Sequence, residues 1–313
     1  MMRTIELTRG QALMWLGQTL NADAPLYNMP FVFTIDGALD PALFRRAFEI
    51  VARSSDTLRA TVREIDGKAM QAILDAPAGE LEFVDLSTHD DSEAAMRAWC
   101  DREQKRLFAY DTCLYRAALL KVSDTRWAWF FNQHHLVTDG WSAQVVFQRV
   151  SEVYARLKQG EDVQEIAVPP YEAYVRHEAE ARAQPREVDA YWAERVANAP
   201  PPPRLYRGAD TAGTTAAIRE VVVLDEARMA RLREVASQPG IRSFSPDMTH
   251  ANLFHALFAA FLLRLGDGDR VRIGVPHANR ATPDFRATPG LFIEMLALDL
   301  SLNPGETFAS LYK

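Results

Sequence analysis

Two adjacent histidines, with an aspartate and a glycine beginning four positions after the second, give the segment Asn132-Gln133-His134-His135-Leu136-Val137-Thr138-Asp139-Gly140-Trp141-Ser142 the means to move protons. A neutral imidazole is the usual general base near pH 7. Neighbouring side chains on extended backbone point to opposite sides, so one of His134 and His135 can face a cleft while the other faces the interior. Asp139 falls on the following turn, where it can hold a nearby arginine or the loop backbone. Gly140 is expected to let the chain bend sharply and approach a substrate closely, and the helix start behind it offers free N–H groups to an oxyanion. The plain alternative is a polar turn between strand and helix, with Asp139 as a cap. Chance would produce this histidine pair with a correctly spaced Asp-Gly on the order of once in a thousand such chains. Adjacent strand histidines chelate a metal poorly and no third ligand stands at suitable spacing, so no metal is expected and acyl transfer is favoured.

These residues need a strand to deliver them and a helix to receive them. The aromatic run 127–132 supplies the strand, entered from 113–122 through the Asp124-Thr125 turn. From Ser142 to Lys158, Val145, Val146, Val150, Val153, Tyr154 and Leu157 recur at helical spacing, and Gly160 closes the helix. Upstream, a helix spans 11–20, opened near Thr8, and a strand covers 31–35. A further helix starts at Asp40-Pro41 with Asp40 as N-cap. Strands at 58–65 and 69–74 are joined by an Asp66-Gly67 hairpin, and a strand at 81–86 precedes a helix at 92–107. Downstream, helices begin near Pro170 and run from Pro185 to Val196, after which Pro200-Pro201-Pro202-Pro203 marks a linker. Beyond it the pattern gives a strand at 217–224, helices at 225–236 and 249–265, strands at 271–275 and 296–302, and a helical turn at 304–313. Strand–helix alternation on both sides of the prolines predicts two similar α/β lobes, 1–180 and 181–313.

The 313 residues are 48% hydrophobic and 25% charged, enough for a substantial core in two lobes. A formal charge of −7 argues against a nucleic-acid surface. Cys100 and Cys113 are too few for a disulfide framework, no apolar run reaches membrane-span length, and no leader precedes Leu7. A cytoplasmic, membrane-free setting is the expectation.

Beyond its chemistry, the segment His134-His135-x-x-x-Asp139-Gly140 with Trp141-Ser142 resembles the core motif of nonribosomal peptide synthetase condensation domains, members of the chloramphenicol-acetyltransferase-like superfamily. Other stretches agree in order: Leu7-Thr8-x-x-Gln11-x-x-x-Trp15, Arg53-Ser54-Ser55-Asp56-Thr57-Leu58-Arg59, Pro170-Tyr171-Glu172-Ala173-Tyr174, Gly274-Val275-Pro276-His277-Ala278-Asn279-Arg280 and Gly290-Leu291-Phe292-Ile293-Glu294. The resemblance implies two acetyltransferase-like α/β lobes (two-layer α+β) in a V around a tunnel, with the second lobe incomplete. It implies donor and acceptor carrier proteins presenting phosphopantetheine thioesters, neighbouring synthetase domains such as an adenylation domain, and no cofactor of the domain's own. Carried over residue by residue, His135 is the catalytic histidine and His134 its structural neighbour. Asp139 pairs with Arg280, Arg59 supports the loop from beneath, and Gly140 places its N–H near the oxyanion. His135 then either deprotonates the attacking amine or chiefly positions it.

Departures from the family pattern are Ser54-Ser55 where His-Glu is usual, Glu172 for Asp, and Glu294 where Asn is frequent. Family members continue past residue 313, so a fragment with exposed apolar sheet and a frayed helix is expected. A natural start at Met1 would instead suit a chain-initiating domain. Trp141, Ser142, Tyr27, His277 and Glu294 are tunnel candidates. Packing competes for Tyr27, Trp141 and His277, and helix capping for Ser142, since no Gly-x-Ser-x-Gly elbow is present. His250 and His255 read as core or cap residues, and Gly266-Asp267-Gly268-Asp269 as a turn. The leading function is amide-forming condensation. A non-catalytic recruiting module, or a stand-alone acyltransferase using acyl coenzyme A, is the alternative. The intact histidine motif favours catalysis, and the order Trp141-Ser142 distinguishes the chain from epimerising relatives.

Overall fold

The computed structural model describes residues 3–183, 188–201, 215, 219–266, 268–302 and 305–312. Strand β1 (Arg3–Glu6) leads into helix α1 (Arg9–Thr19), which a reciprocal capping box opens: the Thr8 hydroxyl accepts from Gln11 N–H, and the Gln11 side chain accepts from Thr8 N–H. There follow β2 (Asn28–Asp36), α2 (Pro41–Ser54), β3 (Ala60–Ile65), β4 (Lys68–Ile73), β5 (Leu81–Asp85), α3 (Ser92–Glu103), β6 (Tyr115–Ser123), β7 (Arg126–His134), α4 (Gly140–Lys158) and α5 (Glu172–Ala183). Asp40 caps α2 through the Ala42 and Leu43 N–H groups. Asp66 and Gly67, at φ 51° and 75°, form the left-handed turn expected between β3 and β4.

Strands β2-β7-β6-β5 form one sheet, antiparallel except for the β5–β6 pair, and β1-β4-β3 form a second, antiparallel one. One face of β7 packs Trp127, Trp129 and Phe131 against Phe44 and Phe48 of α2 and Val146 and Val150 of α4. The other face sets Phe130 edge-on to Trp99 of α3, with ring centroids 5.2 Å apart. A strand covered on both faces is held rigidly, and this one ends in the histidine pair.

A second compact unit comprises the described residues of 186–277 and 295–313. It contains α6 (Val188–Ala197), α7 (Glu226–Ser237), α8 (Pro246–Leu265) and β8 (Arg270–His277). Residues 278–294, with the short helix α9 (Pro283–Ala287), belong to the first unit together with 1–185. β9 (Glu294–Ser301) pairs with β8, and α10 (Phe308–Tyr312) follows. Ala259, Leu262 and Leu263 of α8 pack on Val271 and Ile273 of β8.

Several expectations need correction. The helix placed at 92–107 stops at Glu103 because side chains capture the next carbonyls. Asn28 donates to Gln104 and Arg106 C=O (2.7 and 2.9 Å), and Arg116 donates to Arg106 and Leu107 C=O (2.9 and 2.5 Å). Helix α8 begins at Pro246 rather than 249, capped by Ser245 with proline in its first turn. Within the strand placed at 217–224, residues 219–224 form no strand, and Val221, Val222 and Val223 are 66%, 82% and 80% exposed. A β-rich sequence becomes a strand only where a neighbouring ladder meets its backbone groups. Pro202, Pro203 and Asp267, and the remainder of that strand, lie outside the described residues. Among the described residues no helix is long and apolar enough to cross a membrane.

Candidate active site

The two histidines have opposite surroundings. His134 is 1% exposed, and its Nδ1 accepts from Leu136 N–H at 3.1 Å. The partners therefore assign its ring proton to Nε2, which lies 3.4 Å from the Tyr110 hydroxyl. Tyr27, Phe108 and Tyr110 stand edge-on around it, at centroid distances of 6.0, 6.0 and 5.2 Å. Burial, aided by the neighbouring His135, pushes its pKa from 6.5 down to about 3, so His134 stays neutral.

His135 begins a 3₁₀ turn (His135–Val137) and is half-buried. Its backbone N–H donates to Tyr27 C=O at 2.8 Å, and its Nδ1 lies 2.8 Å from Thr138 C=O. A carbonyl only accepts, so Nδ1 carries a hydrogen, which in the neutral ring places the lone pair on Nε2. His134 is thus a neutral packing element, and the His135 ring is half-buried with its orientation fixed by Thr138 C=O.

Asp139 locks the loop. Only 2% exposed, it caps α4 through Ser142 N–H (2.8 Å) and takes Phe292 N–H at 3.1 Å. Its carboxylate oxygens accept from Arg280 Nη2 at 2.9 and 3.1 Å. Arg280 is itself 6% exposed and lies 4.0 Å from the Phe292 ring centroid. Burial lowers its pKa while Asp139 opposes the shift. Through Nη1, Arg280 also binds Phe285 and Thr288 C=O at 2.5 and 2.7 Å. Side chains hold the rest of the buried stretch 288–292. The Tyr171 hydroxyl donates to Leu291 C=O at 2.5 Å, and Thr57 donates to Pro289 C=O at 3.4 Å. Gly290 has φ 156°, and a Cβ there would sit 2.2 Å from the Tyr171 ring, so no other residue fits without a shift.

The structure revises several assignments. Arg59 does not reach the histidine loop; its Nη1 donates to Leu74 C=O and holds the end of β4. Support from beneath comes instead from Gln11, fully buried, whose Nε2 donates to Leu136 C=O at 2.7 Å and to Gln71 Oε1 at 3.0 Å. Glutamine in the motif after Thr8 was the available signal; its length lets the N-terminus of α1 reach a loop 125 residues away. Ser142 is no tunnel residue either: it is 0% exposed, with its hydroxyl among Asp139, Arg280 and Gly290. Gly140 does not adopt positive φ, so its value is not a sharp bend. It is exposed, and an added Cβ would meet nothing within 4 Å, which leaves room for a reactant.

Trp141 is 47% exposed beside that opening, and its indole N–H donates to Arg286 C=O at 2.9 Å. Tyr27 is half-buried and places its hydroxyl against Gly17. His277 and Glu294 are exposed, at the end of β8 and the start of β9. His250 is partly buried on α8. Among the described residues, no group of three or more His, Cys, Asp or Glu could hold a metal ion.

A sequence model of the Condensation domain matches residues 1–313, so the chain belongs to the condensation-domain family. It is 29% identical over 318 residues to isonitrile lipopeptide synthase of Streptomyces coeruleorubidus, covering 97% of this chain and 20% of that protein. To phosphinothricin tripeptide synthetase of Streptomyces viridochromogenes it is 28% identical over 319 residues, covering 98% of this chain and 28% of the relative. The chain thus spans a small part of these curated relatives. Among solved structures, the first condensation domain of the calcium-dependent antibiotic synthetase, in complex with a substrate analogue, superposes with a TM-score of 0.82 and 28% identity. That match covers 99% of this chain and 72% of the other. A mutant starter condensation domain of rhizomide synthetase in complex with C8-CoA gives 0.83 and 27%, covering 99% and 69%. The mixed α/β fold is therefore that of the chloramphenicol-acetyltransferase-like condensation domains.

Proposed function

We propose that the chain forms an amide by transferring an acyl or peptidyl group from a carrier-bound thioester to the amine of a carrier-bound aminoacyl acceptor. The observation that carries this reading is His135: half-buried, its Nδ1–H held by Thr138 C=O and its Nε2 lone pair left for a substrate proton. The amine nitrogen attacks the thioester carbonyl carbon and the carbonyl oxygen becomes an oxyanion. Collapse breaks the C–S bond, the amine loses its proton, and the leaving thiolate gains one. His135 removes the amine proton or, for an already neutral amine, chiefly orients it and stabilises the charge that develops. The open side of Gly140 leaves room for the reacting carbonyl, whose oxyanion the Gly140 N–H would meet. Asp139 and Arg280 hold the loop, and Trp141, Tyr27 and Glu294 of the first unit are assigned to the substrate path.

The partners of this reading are donor and acceptor carrier proteins bearing phosphopantetheine, with an adenylation domain as neighbour, in the cytoplasm. The intact, oriented His135 favours it over a recruiting module of the same fold. The C8-CoA complex of the rhizomide starter domain supports testing coenzyme A thioesters as donors as well. The test incubates the longest natural polypeptide containing this chain with a glycyl- or leucyl-loaded acceptor carrier, supplying octanoyl groups on a donor carrier or on coenzyme A. Intact-mass spectrometry follows the acceptor. A gain of one acyl group from the carrier donor supports the reading. Transfer from coenzyme A alone replaces it with the stand-alone acyltransferase, and carrier binding without transfer replaces it with recruitment.

A further inference from the structure

A serine hydroxyl has one hydrogen to donate and two lone pairs to receive. In Ser142, Arg280 Nη2 donates to Oγ at 2.7 Å and Gly290 N–H at 2.9 Å, which fills both lone pairs. Two acceptors compete for the single proton: Asp139 Oδ1 at 2.7 Å and Gly290 C=O at 2.6 Å. The node is closed to water, for Ser142 is 0%, Asp139 2% and Arg280 6% exposed. Residues 142 and 290 are 148 positions apart, so one hydroxyl ties the first turn of α4 to the 288–292 stretch through both Gly290 backbone groups. Asp139, held by the same node, directly follows Thr138, whose C=O orients His135 Nδ1.

We propose that Ser142 is a positioning residue for acyl transfer, an inference that rests on the role given to His135. Its hydroxyl fixes Asp139 and the 288–292 stretch in one register, and thereby fixes the carbonyl that aims the His135 ring. Alanine removes the hydroxyl that these four partners share. Threonine keeps the hydroxyl at the cost of one methyl group.

The test compares wild type, Ser142→Ala and Ser142→Thr by steady-state transfer kinetics and by nitrogen and proton NMR of the His135 ring. In Ser142→Ala, kcat is expected to fall by about 10- to 100-fold with KM changed less than about twofold, the signature of a misplaced rather than an unbound reactant. The His135 Nδ1–H resonance should shift or broaden, and Ser142→Thr should restore kcat and resonance together. A folded Ser142→Ala protein with wild-type kcat and an unmoved His135 resonance overturns the proposal. So does a fall in kcat that Ser142→Thr fails to restore while the His135 resonance stays in place, because packing alone would then explain it. Absence of transfer by wild type would instead overturn the role of His135. The NMR comparison would still decide what Ser142 positions.

Discussion

His134 and His135 are adjacent and chemically alike, yet burial gives them different surroundings. With a folded pKa near 3 against 6.5, His134 binds its proton far more weakly in the native state than in the unfolded chain. Lowering the pH through that window therefore favours unfolding, by about 1.4 kcal/mol per pH unit from this one group, and the stability is fully present only above about 6.5. Replacing His134 with phenylalanine should flatten the pH dependence of the urea-unfolding free energy relative to wild type between about pH 4 and 6.5. Equal slopes for the two proteins would show that His134 is not held neutral. Arg280 belongs to the same scale. Arg280→Met leaves the buried Asp139 carboxylate without its counter-charge and should cost about 3–5 kcal/mol in urea unfolding. A loss below about 1 kcal/mol would mean that the pair behaves as if exposed.

At the scale of elements, the histidine loop is suspended between a strand and a helix and braced by two distant segments. The strand and helix were legible in the sequence, because the aromatic run of β7 and the helical spacing in α4 are strong local patterns. The pairing of Asp139 with Arg280 came from family resemblance, since nothing local links residues 141 positions apart. The brace by Gln11 was missed and Arg59 was wrongly given its place. A long polar side chain carries no periodic signal to say which of several loops it reaches. The same limit hid the extent of the 288–292 stretch, whose backbone groups are met by side chains and not by a ladder.

Two substitutions test these braces. Gln11→Ala strips the Leu136 C=O and the Thr8 N–H of a buried partner and should cost about 1–3 kcal/mol in denaturant unfolding, with a parallel loss of transfer rate. Arg59→Met should affect stability at the β4 end while leaving the transfer rate close to wild type. If Arg59→Met slowed transfer as much as Gln11→Ala, the assignment of the brace would be wrong. Gly290→Ala drives a methyl group into the Tyr171 ring and should lower thermal stability by about 1–3 kcal/mol or more.

For the whole molecule, the two compact units differ in how well their apolar surface is covered. In the first unit, β7 is buried on both faces. In the second, α8 buries Ala259 and Leu262 but leaves Phe254, Leu257, Phe258 and Phe261 49–52% exposed, and Met295 of β9 is 65% exposed. Apolar surface of that extent favours association. Residues 1–313 alone should therefore sediment as a concentration-dependent mixture, and Phe258→Glu should shift it toward monomer without altering unfolding of the first unit. A monodisperse monomer at all concentrations would contradict this. Fold class, family and histidine motif were readable from the chain as a whole. The run of valines at 221–223 was misread as a strand because pairing is a property of neighbours and not of composition.

Whether chemistry takes place at His135 is decided by single-turnover transfer measured side by side for wild type and His135→Ala. With donor and acceptor carriers preloaded, intact-mass spectrometry counts acyl groups on the acceptor over time. Wild type is expected to transfer, and the folded His135→Ala protein to be slower by at least about 100-fold, the scale of a positioned acid–base group. Undiminished transfer by His135→Ala would contradict chemistry at His135.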